Sequence, residues 1–519
     1  MNYTDLFRLT LPETALEVTA LVVLIIDLGL LRKSSLKLRV AVAALLGVVG
    51  CGAALWALNA SGGTGYSFEG DLLLAQGGFT GAAQSGILVL TALTLLLLID
   101  SVFTKHVGEY VAVVLMAAAG GLLVASAHDL LVIFIGLELL SLGLYILTAF
   151  AKSSGKSAEA AIKYYLFGGM SAAFLLFGFS YLYGLSGSTN ITEIQRFIAI
   201  SGPSPLLYVA LIFVVAGLGF KVAAVPFHLW APDTYEGAPA PGAAFIASVS
   251  KVASFALLLS LSFAWLLPNR IVESGQTTLA QYIYSHSQVW SPLAFILLIV
   301  SAASMVVGNL AALAQVSVRR LLAYSAIAHA GYLMLGVAVM PSLSGLEVVS
   351  FAYTDLWKLA YRSANAVLYY VLTYGLTTIG AFGVVSVVER DTGSDRIDSF
   401  LGLHKRNPLL AAVLLVLFLS LAGIPPLVGF WAKFFLFAAV LGVSAGPVPF
   451  ALVALAIALS AVSLYYYLQV LKRAYVMPAV NETPIKAPAV TMAALLLIAA
   501  AVVVLGCFPT LLLVWIGNH

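Results

Sequence analysis

The chain has 519 residues, of which 62% are hydrophobic and 9% charged. Soluble domains carry about 25% charged residues, and a soluble fold of this size could not hide so much apolar surface, so the bilayer must solvate most of the side chains. A net charge of +3 gives no electrostatic case for a nucleic-acid partner, and neither a Gly-rich nucleotide loop nor a Cys cluster for iron–sulfur is present in the sequence.

Fourteen apolar segments follow one another: 11–31, 40–59, 84–104, 109–127, 129–150, 159–184, 205–230, 241–267, 292–313, 321–341, 363–388, 408–441, 449–471 and 488–516. A spanning helix needs roughly 20 apolar residues. Backbone polar groups in lipid must bond within their own segment, so these segments are helices. The first begins beyond Leu11 without a small-residue cleavage site, which argues against a cleavable signal peptide. Cys51 and Cys507 lie inside apolar runs without metal-ligand spacing and read as packed thiols.

Basic residues gather on the inner face of a membrane. With both termini on the periplasmic side, 16 of the 25 Lys and Arg residues fall in inner loops and 5 in outer segments. The asymmetry alternates loop by loop, and a miscounted helix would scramble it. The expected location is a bacterial inner membrane.

The four remaining basic residues lie within apolar helices: Lys163, Lys221, Lys251 and Lys433. Glu138 joins them, about nine residues into the fifth segment and near mid-membrane. Lys251 and His329 lie at similar depth in the eighth and tenth. A charge at the bilayer centre costs about 2.5–3.5 kcal/mol on insertion scales, so such groups face a bundle interior or a water-filled cavity and find partners there. Some of these residues have blander accounts. Lys163 is about four residues from the inner end of its segment, within snorkelling reach of the interface. His329 could be a neutral histidine bonded to a backbone carbonyl, and Asp27 and Asp100 sit at inner helix ends, where interfacial roles are ordinary. Several deep lysines and a mid-membrane glutamate in one chain are harder to explain structurally. Burial lowers a lysine's proton affinity and pairing restores it, so a lysine alternating between the two states can relay protons.

Two of the lysines sit beside helix breakers. Lys221 precedes Pro226 in GFKVAAVPFHLWAP, and Lys433 follows Pro425 and Pro426 in LAGIPPLVGFWAKFF. Proline removes a backbone donor and frees a carbonyl one turn earlier. The segment 408–441 would be about 51 Å long as one straight helix, against a hydrocarbon core of roughly 30 Å. Unwound backbone at membrane depth is tolerated where protein or water covers it, and transporters bind ions there. The seventh and twelfth spans are five apart, and a five-helix unit repeated once has its second copy inverted. The fold class is therefore an all-α polytopic membrane protein of about 14 helices. Two inverted five-helix repeats, spans 4–8 and 9–13, carry broken seventh and twelfth helices. The expected division is 1–104, 105–267, 268–472 and 473–519.

The stretches GLELLSLGLYIL, AIKYYLFGG, GFKVAAVPFHLWAPDTYEGAPAP, VRRLLAYSAIAHAGY and LAGIPPLVGFWAKF resemble the antiporter-like subunits of respiratory complex I, the proton-pumping NADH-quinone oxidoreductase, over nearly the whole chain. The resemblance implies a fourteen-helix fold and a hydrated polar axis at mid-membrane. It pairs Glu138 with Lys221, places Lys163 near that pair, and makes Lys251 the link between half-channels. It puts His329 on the relay and Lys433 at its end. Lysine rather than glutamate at 433 resembles the subunit N branch rather than subunit M. The ending at His519, directly after the fourteenth span, is unlike subunit L, which carries a long lateral helix. The stretch 342–362, with Trp357, Lys358, Tyr361 and Arg362, is longer than the family's usual connection and reads as an interfacial helix.

The implied function is proton translocation driven by electron transfer from NADH to quinone in other subunits. This chain is expected to hold no cofactor of its own, with flavin and iron–sulfur clusters in partner subunits and quinone bound elsewhere. Expected partners are membrane lipid and membrane subunits of the M-like and K-like kinds. A subunit of a multi-subunit sodium/proton antiporter is the alternative, and a structural scaffold that has kept the fold is a third reading.

Overall fold

The computed structural model describes residues 7–60, 74, 78–101, 103–201, 204–266, 279–342, 353–443, 447–479 and 483–518. Among these residues there is no β-strand, only three isolated bridges. The helices in chain order are α1 (Leu11–Ile25), continued by a π-helical turn at Ile26–Leu30, then α2 (Leu36–Ala60), α3 (Phe79–Leu98), α4 (Val107–Ser126), α5 (Leu130–Ala149) and α6 (Gly155–Ser186). Next come α7 (Ile191–Ser201), α8 (Pro205–Lys221), α9 (Trp230–Gly237), α10 (Ala240–Leu266), α11 (Leu279–Leu313) and α12 (Val318–Ser342). The last are α13 (Tyr353–Thr392), α14 (Pro408–Ala422), α15 (Val428–Val443), α16 (Pro447–Tyr475), α17 (Ala489–Cys507) and α18 (Thr510–Asn518).

Among the described residues, eleven helices are long and apolar enough to cross a membrane. The three other expected spans are the interrupted ones: α1 with its π turn, α8 with the unwound stretch after it, and α14 with α15. The count of fourteen and both expected breaks are therefore present. In each five-helix unit the broken member is the fourth, between α6 and α10 in the first and between α13 and α16 in the second.

Both units also start with the same close crossing. A Cβ on Gly120 of α4 would lie 2.6 Å from the backbone nitrogen of Leu140 on α5, and one on Gly308 of α11 would lie 2.5 Å from that of Ala328 on α12. Only glycine allows the backbones to approach so closely, which is how helices gain packing energy where lipid is as apolar as their side chains. The centre of the bundle is α10, buried along its described length, with α12, α13 and α3 around it. Helices α2, α6, α16 and α17 lie outermost and turn apolar side chains outward.

Capping groups fix several helix starts. Asp129, Ser154, Ser204 and Asn407 accept from first-turn N–H groups of α5, α6, α8 and α14. Asp100, beyond the end of α3, caps α17 instead: its Oδ2 accepts from Thr491 N at 3.0 Å and Thr491 Oγ1 at 2.7 Å. Asp27 is fully enclosed, paired with Arg39 at 2.7 Å through both carboxylate oxygens, and it accepts from Gly108 N at the start of α4. Neither carboxylate is a plain interfacial charge.

Four features differ from the sequence expectation. The segment 488–516 is not one helix but α17 and α18, separated at Phe508 and Pro509. An additional amphipathic helix, α7, precedes α8. Residues 353–362 form the first turns of the long α13 rather than a separate interfacial helix, and 343–352 lie outside the described residues. Cys51 is packed as expected, but Cys507 is exposed on the outside of α17.

Candidate functional site

The two helix breaks organise the polar interior. In the first, Val222–Leu229 is unwound around Pro226, and Lys221 is the last residue of α8. The carbonyl of Phe220 accepts from Ala223 N and from Trp230 Nε1, each at 3.0 Å, and Val225 N donates to Ser304 Oγ on α11 at 2.9 Å. The break is thus closed by protein groups, as membrane depth requires. Ala223 holds a left-handed backbone at φ 59°, a conformation that costs a non-glycine residue about 1–3 kcal/mol and clusters at functional sites.

In the second break, Gly423 adopts φ 88° after the last residue of α14. Lys433 reaches back from α15 to that helix end. Its Nζ donates to the carbonyls of Leu421 at 3.2 Å and Ala422 at 2.9 Å, and to Ser460 Oγ of α16 at 2.8 Å. A cation at a helix C-terminus meets the negative end of the helix dipole and bonds orphan carbonyls, so this site suits an ammonium.

Glu138 and Lys221 come together across α5 and α8 with 3.8 Å between Oε1 and Nζ. The ammonium's hydrogen bond goes to Ser141 Oγ at 2.6 Å, one turn along from Glu138. Lys221 is buried while Glu138 is half-buried, its side chain 29% exposed. Glu138 shares one face of α5 with Leu131, Ile135 and Leu142, all exposed on the outside of the chain.

The other three relay candidates meet between α10, α12, α13 and α15. Lys251 Nζ donates to the carbonyl of Ala326 on α12 and lies 5.6 Å from the ring centre of Tyr374. His329, also on α12, shares a hydrogen bond of 2.8 Å between Nδ1 and the Tyr370 hydroxyl, and its ring lies 4.7 Å from that of Tyr374. Lys433 Nζ sits 5.6 Å from the ring centre of Tyr332, one turn beyond His329. A small cavity of about 10 Å³ touches His329, Tyr370, Tyr374 and Leu421, close to the lower limit for one water molecule.

Lys163 lies near an interface, as its position in the span suggests, and its ion partners are not Glu138 or Lys221. Its ammonium bonds Asp233 and Glu159, each at 2.7 Å, and its side chain is 41% exposed at the basic end of the bundle. It belongs to an ion cluster there rather than to the Glu138–Lys221 pair. The same end holds a cavity of about 330 Å³ lined by Asp100, Lys156, Glu236, Arg319, Glu389 and Arg390 among others. Basic residues assigned to three different inner loops thus converge on one end of the bundle.

Sequence reasoning missed Ser141, Ser460 and the tyrosines 332, 370 and 374. Helical spacing offered a signal for some of them. Ser141 lies three residues after Glu138, and Tyr370 and Tyr374 lie four apart on α13. It also passed over Glu13, a carboxylate buried in the first turn of α1. Among the described residues, no three His, Cys, Asp or Glu side chains gather as a metal site.

Residues 127–356 and 356–460 match the family described as NADH:quinone oxidoreductase/Mrp antiporter, TM. A relative from Acidobacterium capsulatum, NADH-quinone oxidoreductase subunit N 2, is 47% identical, covering 99% of this chain and 99% of its own. A chain in the structure of respiratory complex I from Thermus thermophilus with bound aureothin superposes with a TM-score of 0.75 at 32% identity, over 98% of this chain and 100% of that one. A chain of the Mrp complex from a Dietzia species shares the fold, with a TM-score of 0.75 at 20% identity over 98% of this chain and 96% of that one. The fourteen spans, the paired breaks and these matches agree, and the chain belongs to the NADH:quinone oxidoreductase/Mrp antiporter membrane-subunit family, among the proteins named subunit N of NADH-quinone oxidoreductase.

Proposed function

We propose that this chain is a proton-translocating membrane-arm subunit of an NADH-quinone oxidoreductase, moving protons through a relay of Glu138, Lys221, Lys251, His329 and Lys433. The observation that carries the reading is the placement of buried ammonium groups at two helix breaks, one facing a carboxylate and the other facing freed carbonyls. An ammonium whose partner is a movable carboxylate binds its proton more tightly when the pair is closed and less tightly when it is open. The second group can receive a proton because the end of α14 stabilises the charge.

The reading has three parts. First, Glu138 is the switch. A mid-membrane carboxylate on an outward apolar face is costly against lipid, so a neighbouring membrane subunit of the M-like or K-like kind covers it. That neighbour can attract or repel the carboxylate and so set the charge state of Lys221. Second, Lys251, His329 and Lys433 pass the proton on through the tyrosines 370 and 374 and the small cavity beside His329. Third, protons enter from the basic end, which we assign to the cytoplasm, with both termini periplasmic. Ala244, on the wall of the large cavity, precedes Lys251 by about 10 Å along α10. Tyr235 packs edge-on against Phe382 of that wall with 5.8 Å between ring centres, and its buried hydroxyl has no protein hydrogen-bond partner among the described residues, a condition that buried water ordinarily relieves.

Energy comes from elsewhere, in this reading from flavin, iron–sulfur clusters and quinone held by other subunits of the assembly. The proposed division into 1–104, 105–267, 268–472 and 473–519 follows the repeat. The test is proton pumping by the assembled complex in membrane vesicles carrying Glu138→Ala or Lys221→Ala. Both should lower the number of protons moved per electron. Normal pumping by a normally assembled variant would sink the proposal, and sodium-dependent transport without NADH would favour the antiporter reading.

A further inference from the structure

The short helix α9 follows the first break, and its position bears on Lys221. At its start, Trp230 donates to the carbonyl of Phe220, the residue before Lys221, and stacks flat on Tyr164 of α6 with 4.3 Å between ring centres and 5° between planes. At its other end, α9 is held by α12. Arg320 Nη1 reaches Asp233 at 2.6 Å and Glu236 at 3.1 Å, while Arg319 Nη1 donates to the carbonyls of Glu236 at 3.1 Å and Ala238 at 2.8 Å. Lys163 of α6 takes the other oxygen of Asp233.

Asp233 is therefore gripped from both sides, by α6 in its own unit and by α12 in the second unit. Arginine suits this task because its planar, permanently charged fork loses little freedom on bonding two carboxylates. Helix α12 also carries His329, nine residues after Arg320, or about 14 Å along the axis. One rigid path thus runs from the His329 helix through Arg320 and Asp233 to α9, Trp230 and the carbonyl that borders Lys221.

We propose that Asp233 and Arg320 are positioning residues for proton transfer: their ion pair latches α9 to α12 and so fixes the helix break that holds Lys221 opposite Glu138. Neither residue carries the proton. The latch ties the first half-unit to the second, so a movement of α12 is transmitted to the Glu138–Lys221 spacing. This role rests on the relay reading above.

The experiment uses the intact complex in membrane vesicles. Protons per electron and electron transfer per assembled complex are measured for Asp233→Asn, Arg320→Gln, the conservative Arg320→Lys, and Lys221→Ala. Asp233→Asn and Arg320→Gln should lose part of the proton-to-electron ratio while electron transfer per assembled complex is kept. Arg320→Lys should keep most of the ratio, because one charged nitrogen makes both contacts to Asp233 and Glu236. A purely structural role would instead lower the amount of complex and leave the ratio of what remains unchanged, which would overturn the proposal, as would an Arg320→Lys ratio no better than that of Arg320→Gln. If Lys221→Ala itself pumps normally, the relay reading fails. If Lys221→Ala loses pumping and Asp233→Asn and Arg320→Gln do not, only the latch fails.

Discussion

The ammonium of Lys433 lies 2.9 Å from the carbonyl oxygen of Ala422, although a helix break and eleven residues of chain separate the two. The side chain thus does two things at once. It satisfies backbone acceptors that Pro425 and Pro426 leave without donors, and it holds a proton where the dipole of α14 favours positive charge.

Lys433→Ala should therefore damage both stability and transport. Leaving buried acceptors unpaired costs about 1–3 kcal/mol. Lys433→Gln keeps an N–H donor for the carbonyls but cannot carry a proton. We expect the Ala variant to melt earlier than the Gln variant, and both to pump poorly. Thermal unfolding of the purified complex, read beside vesicle acidification, checks this. Good pumping by Lys433→Gln would remove Lys433 from the relay.

Ser141 is the nearest partner of the Lys221 ammonium, closer than Glu138. It holds the charge while the carboxylate is 3.8 Å away. A hydrogen bond to a charged group contributes about 1.5–3 kcal/mol, so Ser141→Ala should make the charged form of Lys221 harder to keep. We expect pumping to fall less than in Glu138→Ala and assembly to be normal. A Ser141→Ala complex indistinguishable from the parent would show that the bond has no part in transfer. Ser141→Thr keeps the hydroxyl and should retain most activity.

Tyr370 gives His329 its hydroxyl partner, and both are buried. Tyr370→Phe removes one oxygen without changing the packing shape. The ring stays in place, but the buried Nδ1 of His329 is left without its partner, so stability should fall by about 1–3 kcal/mol. The transfer rate should drop much more clearly, because His329 would lose the group that orients its ring and exchanges its proton. Pumping measured at matched complex levels separates the two effects. Equal losses in stability and pumping would mean that the hydroxyl serves packing alone.

Much of this architecture is legible in the sequence, for physical reasons that differ from part to part. The spans show because lipid demands long apolar runs, and the breaks show because Pro226, Pro425 and Pro426 fall beside lysines. The relay lysines stand out because charge is rare in apolar helices. Their partners do not stand out. Lys251 and Lys433 bond backbone carbonyls, which every residue possesses and no residue type marks. The tyrosines of α13 look like ordinary core aromatics until the fold puts them beside His329. The place of Lys163 near an interface was legible from its position in the span, but its partner Asp233 was not, because it lies 70 residues away along the chain. Pro509 was a visible signal for the split between α17 and α18, but the apolar run around it hid the interruption.

The pair Asp27–Arg39 should be a stability determinant that has nothing to do with transport. Asp27 is 1% exposed, accepts two hydrogen bonds from Arg39, and accepts a third from Gly108 N at the first turn of α4. It therefore ties α1, α2 and α4 together at the basic end. Removing one partner of a buried ion pair leaves an uncompensated charge, at a cost of about 3–5 kcal/mol. Arg39→Leu should consequently lower the amount of assembled complex sharply. Asp27→Asn keeps one acceptor oxygen but turns the other into an NH2 that faces a donor, so it should lower the yield as well, though less, because the Arg39 side chain it leaves behind is 16% exposed and can reach water. In both variants the protons moved per electron, measured on whatever complex assembles, should match the parent. A normal yield of complex with Arg39→Leu would contradict the structural role, and a reduced ratio would place this end of the bundle on the proton path instead.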